Sequence, residues 1–139
     1  MATDLSQDIR DRTFRFACAV ASLVVSLDHE YKLRSILDQL LRSGTSIGAN
    51  LEEAKAASSR REFLRYIQVS LRESREALYW LRTCAELKLG PEAELQQLRS
   101  ESEQISRILG AIAVSTKRRM LAGYAVFAFF ILNFAFLLS

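Results

Sequence analysis

The spacing of apolar residues is the feature that most restricts how this chain can fold. Apolar side chains recur every three or four positions through four long segments, as on one face of a helix, and no segment alternates apolar and polar residues as a strand does. A single proline, Pro91, occurs in 139 residues, so few positions break a helix. The pattern therefore predicts an all-α protein.

Four helices with short connections are predicted, at about 6–27, 33–57, 60–89 and 91–118. Ser58-Ser59 is a natural stop and a new N-cap between the second helix and the third. Gly90 and Pro91 separate the third helix from the fourth, because glycine commonly ends helices and proline commonly starts them. Short connections favour antiparallel neighbours. We expect an antiparallel up-down four-helix bundle in residues 1–118, with an additional apolar C-terminal helix.

The C-terminal segment, residues 119–139, differs in kind from the rest. It has no charged residue from Met120 to Leu138, follows a cationic run and is about long enough to cross a bilayer. Three interpretations remain open: a membrane anchor, a fifth helix buried in an oligomer, and an appendage without function. With an anchor, the chain would be a membrane-tethered oligomerisation scaffold at the inner membrane. The charged first residues do not form a secretory signal, so the bundle is expected in the cytoplasm.

The third predicted helix has two apolar faces. At about 100° per residue, one broad stripe faces the bundle core; it comprises Phe63, Leu64, Ile67, Leu71, Leu78, Leu81 and Ala85. A second apolar group lies away from it and comprises Tyr66, Val69, Trp80, Cys84 and Leu87. A surface helix of a monomer needs one stripe only. The second group favours self-association, and the alternative is a central helix covered within one chain.

A row of cations lies between those two faces, within about a third of the circumference. It comprises Arg61, Arg65, Arg72, Arg75 and Arg82, with Gln68 and Tyr79 between them, and Lys117, Arg118 and Arg119 extend the set. The paired N–H groups of an arginine guanidinium match the oxygens of a phosphate, and an aromatic ring can stack on an unpaired base. The row predicts a nucleic-acid interface. The alternative is a solvated face neutralised by intrahelical pairs such as Arg72 with Glu76 and Arg82 with Glu86.

The stretch "RSGTSIGAN", residues 42–50, places two glycines one helical turn apart between strong helical sequences. We predict that the helix continues through Gly44 and Gly48, and that the pair lets another backbone approach closely. Ser46, Asn50 and Glu53 share one face of this helix, which puts Asn50 and Glu53 in position to bond across to a neighbour.

Residues suited to catalysis or metal binding are not grouped in this sequence. His29 is the single histidine, and no nucleophile–base set or phosphate-cradling glycine loop is present. Glu52 and Glu53 point about 100° apart on a helix and do not converge. We therefore expect no enzyme activity, cofactor, metal or small-molecule substrate. Cys18 and Cys84 lie in apolar helical patterns and are expected to be buried thiols rather than a disulfide.

The middle of the chain resembles a known family. The resemblance depends on three features: "SIGAN" followed by Glu53, Phe63 at the start of the next helix, and the pattern Ser70, Glu73, Glu76, Tyr79, Trp80, Leu81. These residues resemble the bacterial four helix bundle protein family, also called the 23S ribosomal RNA intervening-sequence protein family. "RILGAIAVSTK" resembles the end of that family's fourth helix, so the resemblance spans about residues 9–117.

The resemblance implies more about structure than about function. Members are similar to small antiparallel four-helix bundles that assemble as ring-like homopentamers, and some are encoded within insertions in 23S ribosomal RNA genes. A related branch comprises accessory proteins of diversity-generating retroelements, which are basic rings that bind nucleic acid and the reverse transcriptase. The implied partners are other copies of the chain and RNA or a nucleoprotein. The apolar tail is not part of the family core. The signature positions for helix packing are Gly44, Ser46, Gly48, Asn50, Glu53, Tyr79 and Trp80.

Overall fold

The computed structural model describes the backbone of residues 2–27 and 33–137 and the side chains of residues 8–27 and 33–128. Four helices account for almost all of this part of the chain, and it contains no strand. They are α1 (Ala2–Leu27), α2 (Arg34–Ala56), α3 (Arg60–Glu86) and α4 (Glu92–Leu137). The all-α prediction and the order of the four helices are confirmed.

The helices pack in cyclic order around one core. α2 packs against α1 and α3, and α4 packs against α3 and, less closely, against α1. Across the described residues, no close approach joins α1 to α3 or α2 to α4. Consecutive helices are joined by short connections and pack side by side, and the helices at opposite corners do not touch. This arrangement is the predicted antiparallel up-down bundle.

The core consists of side chains at the predicted helical spacing. In α1 these are Ile9, Phe16, Val20, Leu23 and Val24, and in α4 they are Leu95, Leu98, Ile105 and Leu109. The middle helices add Leu37, Leu40, Ile47, Leu51, Ile67, Ala77, Leu81 and Cys84. Burying each large aliphatic side chain contributes about 1.5–3 kcal/mol to folding, so this shared interior is the main source of stability.

Two glycines of α2 face α1, as predicted from "RSGTSIGAN". A Cβ atom on Gly44 would lie 3.0 Å from Val20 Cγ1, and one on Gly48 would lie 3.5 Å from Thr13 Oγ1. The helix continues through both residues. The prediction of a continuous helix with a close-packed contact is confirmed, and the neighbouring helix is α1.

Buried serines bridge α2, α3 and α4. Ser70 Oγ donates to the Ile47 carbonyl of α2 at 2.7 Å, and Ser102 Oγ of α4 donates to the Ser74 carbonyl at 3.0 Å. The Ser74 and Ser106 hydroxyls lie 2.8 Å apart. Serine interrupts the apolar pattern of α4 at Ser102 because a small hydroxyl there completes a hydrogen bond to α3, which offsets its burial.

Ser59 caps α3, as the sequence predicts. Its Oγ accepts a hydrogen bond from the Glu62 N–H at 3.1 Å, while Glu62 Oε2 accepts from the Ser58 N–H and hydroxyl, each at 2.8 Å. These bonds from Ser58 lower the pKa of Glu62. The arrangement is a variant of the capping box, with the carboxylate reaching one residue further back.

Helix α3 ends at Glu86, three residues before the predicted end. The chain turns at Lys88, whose φ of 55° is left-handed, and the Leu89 N–H then donates to the Cys84 carbonyl at 2.8 Å. Gly90 also has a positive φ, 94°, but it follows the turn instead of making it. Gly90 therefore predicted correctly that a helix ends nearby but placed the end too late. The turn is made by Lys88, and lysine rarely adopts a left-handed conformation.

Arg12 joins α1 to α4 where these two helices approach less closely. Its Nε donates to Glu101 Oε1 at 2.9 Å and its Nη2 donates to Glu101 Oε2 at 2.8 Å, with a further bond to Gln104 Oε1 at 3.1 Å. The hydrogen bonds to Glu101 raise the pKa of Arg12. Paired, parallel bonds of this kind fix the relative orientation of two elements.

The predicted additional C-terminal helix is instead a continuation of α4. This helix has 46 residues, about 69 Å at 1.5 Å per residue, and its last buried side chain is Leu109. Beyond that point, Leu121, Tyr124 and Phe127 are exposed. The helix continues because no proline follows Pro91.

The described residues contain no helix that is both long enough and apolar enough to cross a bilayer. The second half of the predicted membrane segment, 129–138, lies outside the residues whose side chains are described.

Replacing Gly44 with valine should destabilise the protein by about 1–3 kcal/mol, because the new side chain meets Val20 in an already packed contact. Adding Val20→Ala should recover part of the loss. Guanidinium unfolding followed by circular dichroism measures the change. The control is Gly110→Ala in α4, where a Cβ meets nothing within 4 Å and helix propensity predicts a gain of about 1 kcal/mol. A Gly44→Val protein as stable as the wild type would contradict the contact.

Candidate nucleic-acid interface

The predicted cations form one exposed row along the outside of α3. Successive members are three or four residues apart, and every one is exposed. The row, called the arginine row below, comprises Arg61, Arg65, Gln68, Arg72, Arg75, Tyr79 and Arg82. From Arg61 to Arg82 it extends about 32 Å at 1.5 Å per residue. The buried side of the same helix carries Ile67, Ser70, Ser74, Ala77, Leu81 and Cys84.

Arg42 of α2 binds two carboxylates of α3, one of which, Glu76, could otherwise pair with Arg72 of the row. Its Nη1 donates to Glu73 Oε2 at 3.2 Å, and its Nη2 donates to Glu76 Oε1. The sequence alternative, in which Arg72 pairs with Glu76, is therefore wrong. Glu73 and Glu76 lie on the α2 side of α3, beside the arginine row.

Most guanidinium groups of the row have no acidic partner. Among the described residues, no carboxylate oxygen lies within 4 Å of Arg61, Arg72, Arg75 or Arg82. The Arg82–Glu86 pair considered from the sequence is therefore not formed. Arg65 is held differently, with its guanidinium carbon 4.4 Å from the centre of the Tyr66 ring. The row keeps its positive charges available to an anion.

The Arg42 contacts also orient the aromatic pair of the signature. Trp80 Nε1 donates to Glu76 Oε1 at 3.3 Å, and the rings of Tyr79 and Trp80 meet edge to face at a centroid distance of 5.0 Å. Trp80 is half-buried, whereas Tyr79 is exposed within the row. A rigid, exposed aromatic ring among arginines is suited to stacking on a base.

The charges of this network shift two pKa values in opposite directions. The hydrogen bond to Glu76 raises the pKa of Arg42, and the hydrogen bond from Arg42 lowers the pKa of Glu76, with a smaller contribution from Trp80. Both groups therefore stay charged at neutral pH. Sequence reasoning missed Arg42, because its partners lie 31 and 34 residues away and only the packing of α2 on α3 brings them together.

The second apolar group of α3 is largely covered within one chain, contrary to the interpretation that favoured self-association. Cys84 is fully buried, and burial raises the pKa of its thiol. Tyr66 and Trp80 pack against the core, while Leu87 is half exposed. The second group is thus mostly covered by the chain's own helices, as in the sequence alternative, although α3 occupies a corner of the bundle. Self-association remains a prediction that this group no longer supports.

Two further sequence predictions need correction. Asn50 Nδ2 donates to the Ser46 carbonyl of its own helix at 2.8 Å, and Glu53 is exposed, so within the described residues neither side chain is seen to bond across to another helix. Cys18, expected to be buried, is exposed on α1. His29 lies outside the described residues, and the described residues contain no cluster of metal ligands.

The cations at the end of the bundle lie beside the start of the row. Lys117, Arg118 and Arg119 are exposed and immediately precede Met120. Met120 and Tyr124 line the same cleft as Arg61 and Arg65. The extension of α4 therefore brings this second basic group to the end of α3 where the row begins.

The fold and these positions agree with a comparison against protein families. Residues 6–111 match the family described as 23S rRNA-intervening sequence protein, and this match ends two residues after Leu109, the last buried side chain of α4. The chain belongs to the 23S rRNA-intervening sequence protein family. The arginine row lies wholly within the part that matches this family, whereas Lys117, Arg118, Arg119 and the rest of the α4 extension lie beyond it.

A solved structure is similar to this member of the 23S rRNA-intervening sequence protein family. It is a protein of unknown function from the S23 ribosomal protein family of Bacteroides thetaiotaomicron. The two chains are 31% identical, with a TM-score of 0.73, and the similarity covers 78% of this chain and 96% of the other. No curated protein matches this chain.

Replacing Arg42 with glutamine should raise the pKa of Glu76 towards its ordinary value of 4.5. A carboxylate whose pKa is lowered by folding stabilises the protein above its unfolded-state pKa, and that stabilisation is lost as the pH falls through the folded-state value. NMR titration of the Glu76 carboxyl carbon measures the shift. Arg82→Gln removes an exposed arginine of the same helix and should leave the pKa unchanged. An unaltered pKa in Arg42→Gln would contradict the network.

Proposed function

We propose that this protein is a non-enzymatic RNA-binding accessory protein that works as a homo-oligomer, with the arginine row of α3 as its contact surface. The observation that carries the proposal is the row itself, about 32 Å long, in which Arg61, Arg72, Arg75 and Arg82 form no ion pair among the described residues. Unpaired guanidinium groups spaced along a rigid helix bind successive phosphates of a polyanion.

The composition of the row favours RNA with accessible bases. Tyr79 is exposed among the arginines, and aromatic rings in such positions stack on unpaired bases, whereas phosphate contacts alone do not distinguish nucleic acids. Lys117, Arg118 and Arg119 extend the basic surface around the end of the bundle.

Oligomerisation would increase the number of rows that one RNA molecule meets. The formal net charge of one chain is only +3, so several linked surfaces would bind a polyanion far more tightly than one. The outer side of α1 supports self-association, since Phe14 and Val25 are 69% and 74% exposed. α1 and α3 occupy opposite corners of the bundle, so contacts through α1 would leave the row accessible. We propose a homopentamer, the assembly that the family resemblance implies.

Neutralising Arg72 and Arg75 together should weaken RNA binding, most strongly at low salt. Each lost phosphate contact lowers the slope of log Kd against log salt by about one, so Arg72→Gln with Arg75→Gln should reduce the slope by about two. Fluorescence anisotropy with a labelled structured RNA across a salt series measures it. The matched control, Arg15→Gln with Arg34→Gln, removes two exposed arginines from α1 and α2 and should leave the slope unchanged. Equal slopes in both double variants would show that α3 is only a solvated face.

The assembly is tested by light scattering of the full chain coupled to gel filtration. A homopentamer gives a mass near five times the 15.8 kDa of one chain. Phe14→Glu with Val25→Glu should reduce the mass, because two charges would be desolvated in the α1 contact. A wild-type mass of 15.8 kDa at micromolar concentration would contradict self-association.

A further inference from the structure

We propose that the cleft between the start of α3 and the extension of α4 binds one unpaired nucleotide, so the preferred ligand is RNA with a single-stranded segment. This inference rests on the proposed RNA-binding function and names the chemistry of its ligand. The juxtaposition that carries it is Tyr124 of the extension beside Arg61 and Arg65 of the arginine row.

The cleft has the size and lining of a site for a small planar group. Its volume is about 680 Å³, within the range of about 300–1,000 Å³ that is typical of small-molecule sites. α3 supplies one side of the cleft and the extension of α4 supplies the other. The residues that matter for binding are Arg61, Leu64, Arg65, Gln68, Met120 and Tyr124.

Each part of a nucleotide has a matching group in the cleft. The exposed ring of Tyr124 offers a face on which a base can stack, with half-buried Leu64 and Met120 as an apolar lining. The Gln68 amide both donates and accepts hydrogen bonds, as the edge of a base requires. Arg61 and Arg65 supply guanidinium groups for the phosphates on either side.

The one carboxylate that lines the cleft already has partners. Glu62 Oε2 accepts hydrogen bonds from the Ser58 N–H and hydroxyl, each at 2.8 Å. This carboxylate caps α3, and its charge is partly offset by these donors. The cleft contains two guanidinium groups, of Arg61 and Arg65, and one carboxylate, of Glu62. Its net charge is therefore positive, which favours binding of a phosphate.

Paired RNA is not suited to this cleft. In an A-form duplex the faces of the bases are stacked on each other and the deep groove is too narrow for side chains. A single-stranded nucleotide can leave its neighbours and stack on Tyr124, while the adjoining phosphates continue along the arginine row. The guanidinium groups of the row bind any polyanion, and the cleft adds a second aromatic ring, besides Tyr79, for an unpaired base.

The test compares the binding of a short single-stranded RNA with that of the same RNA paired to its complement, using the full chain at one salt concentration. Tyr124→Ala should weaken binding of the single strand about tenfold, the order of one lost base stack, and leave duplex binding unchanged. Tyr124→Phe keeps the ring and should bind the single strand like the wild type. The control is Leu121→Ala, a nearby exposed apolar residue of α4 that does not line the cleft.

Two failures can be told apart. If RNA binds with the salt dependence predicted for the row but Tyr124→Ala binds single strands like the wild type, the cleft inference is overturned and the proposed function stands. If neither RNA binds at low salt, the proposed function is overturned and the inference with it. Ultraviolet crosslinking of oligouridylate should label the peptide that contains Tyr124, and labelling confined to other peptides would also overturn the cleft.

Discussion

The close approach of helices at small residues is the constraint on which this bundle depends. Gly44 lets α2 approach α1 so closely that a Cβ would meet Val20 at 3.0 Å. Ser70 and Ser102 join α3 to its two neighbours through buried hydrogen bonds to backbone carbonyls. Small side chains shorten the distance between helix axes, and satisfied hydroxyls offset the burial of polar atoms. The larger apolar residues then fill the interior on both sides of these contacts.

That packing determines which charges remain on the surface. Because α2 lies close against α3, Arg42 reaches Glu73 and Glu76 and draws both carboxylates to the α2 side of the helix. Arg72 on the outer side of α3 thereby lacks Glu76, the partner that an isolated helix would offer it at a spacing of four residues. The ion pairs of Arg42 thus hold these two carboxylates beside the arginine row instead of against its guanidinium groups.

The extension of α4 changes the surface at one end of the bundle. The core ends at Leu109, yet the helix continues through Lys117 and Tyr124 because no residue there breaks it. The apolar segment therefore begins as a rigid continuation beside the start of α3. This geometry places an aromatic ring and three more cations where the arginine row begins, outside the part of the chain that matches the family.

The sequence alone determined the helices, most of the core and the row. Regular spacing showed that Ile67 and Leu81 face inwards. The same rule placed Arg61, Arg65, Arg72, Arg75 and Arg82 on one side of α3, because helical geometry is local. Only the tertiary structure decided which contacts those side chains make. The contact of Arg42 with Glu76, the burial of Cys84 but not of Cys18, and the position of Tyr124 near Arg61 all depend on how one helix packs against another. Residues distant in sequence carry no periodic signal of that packing.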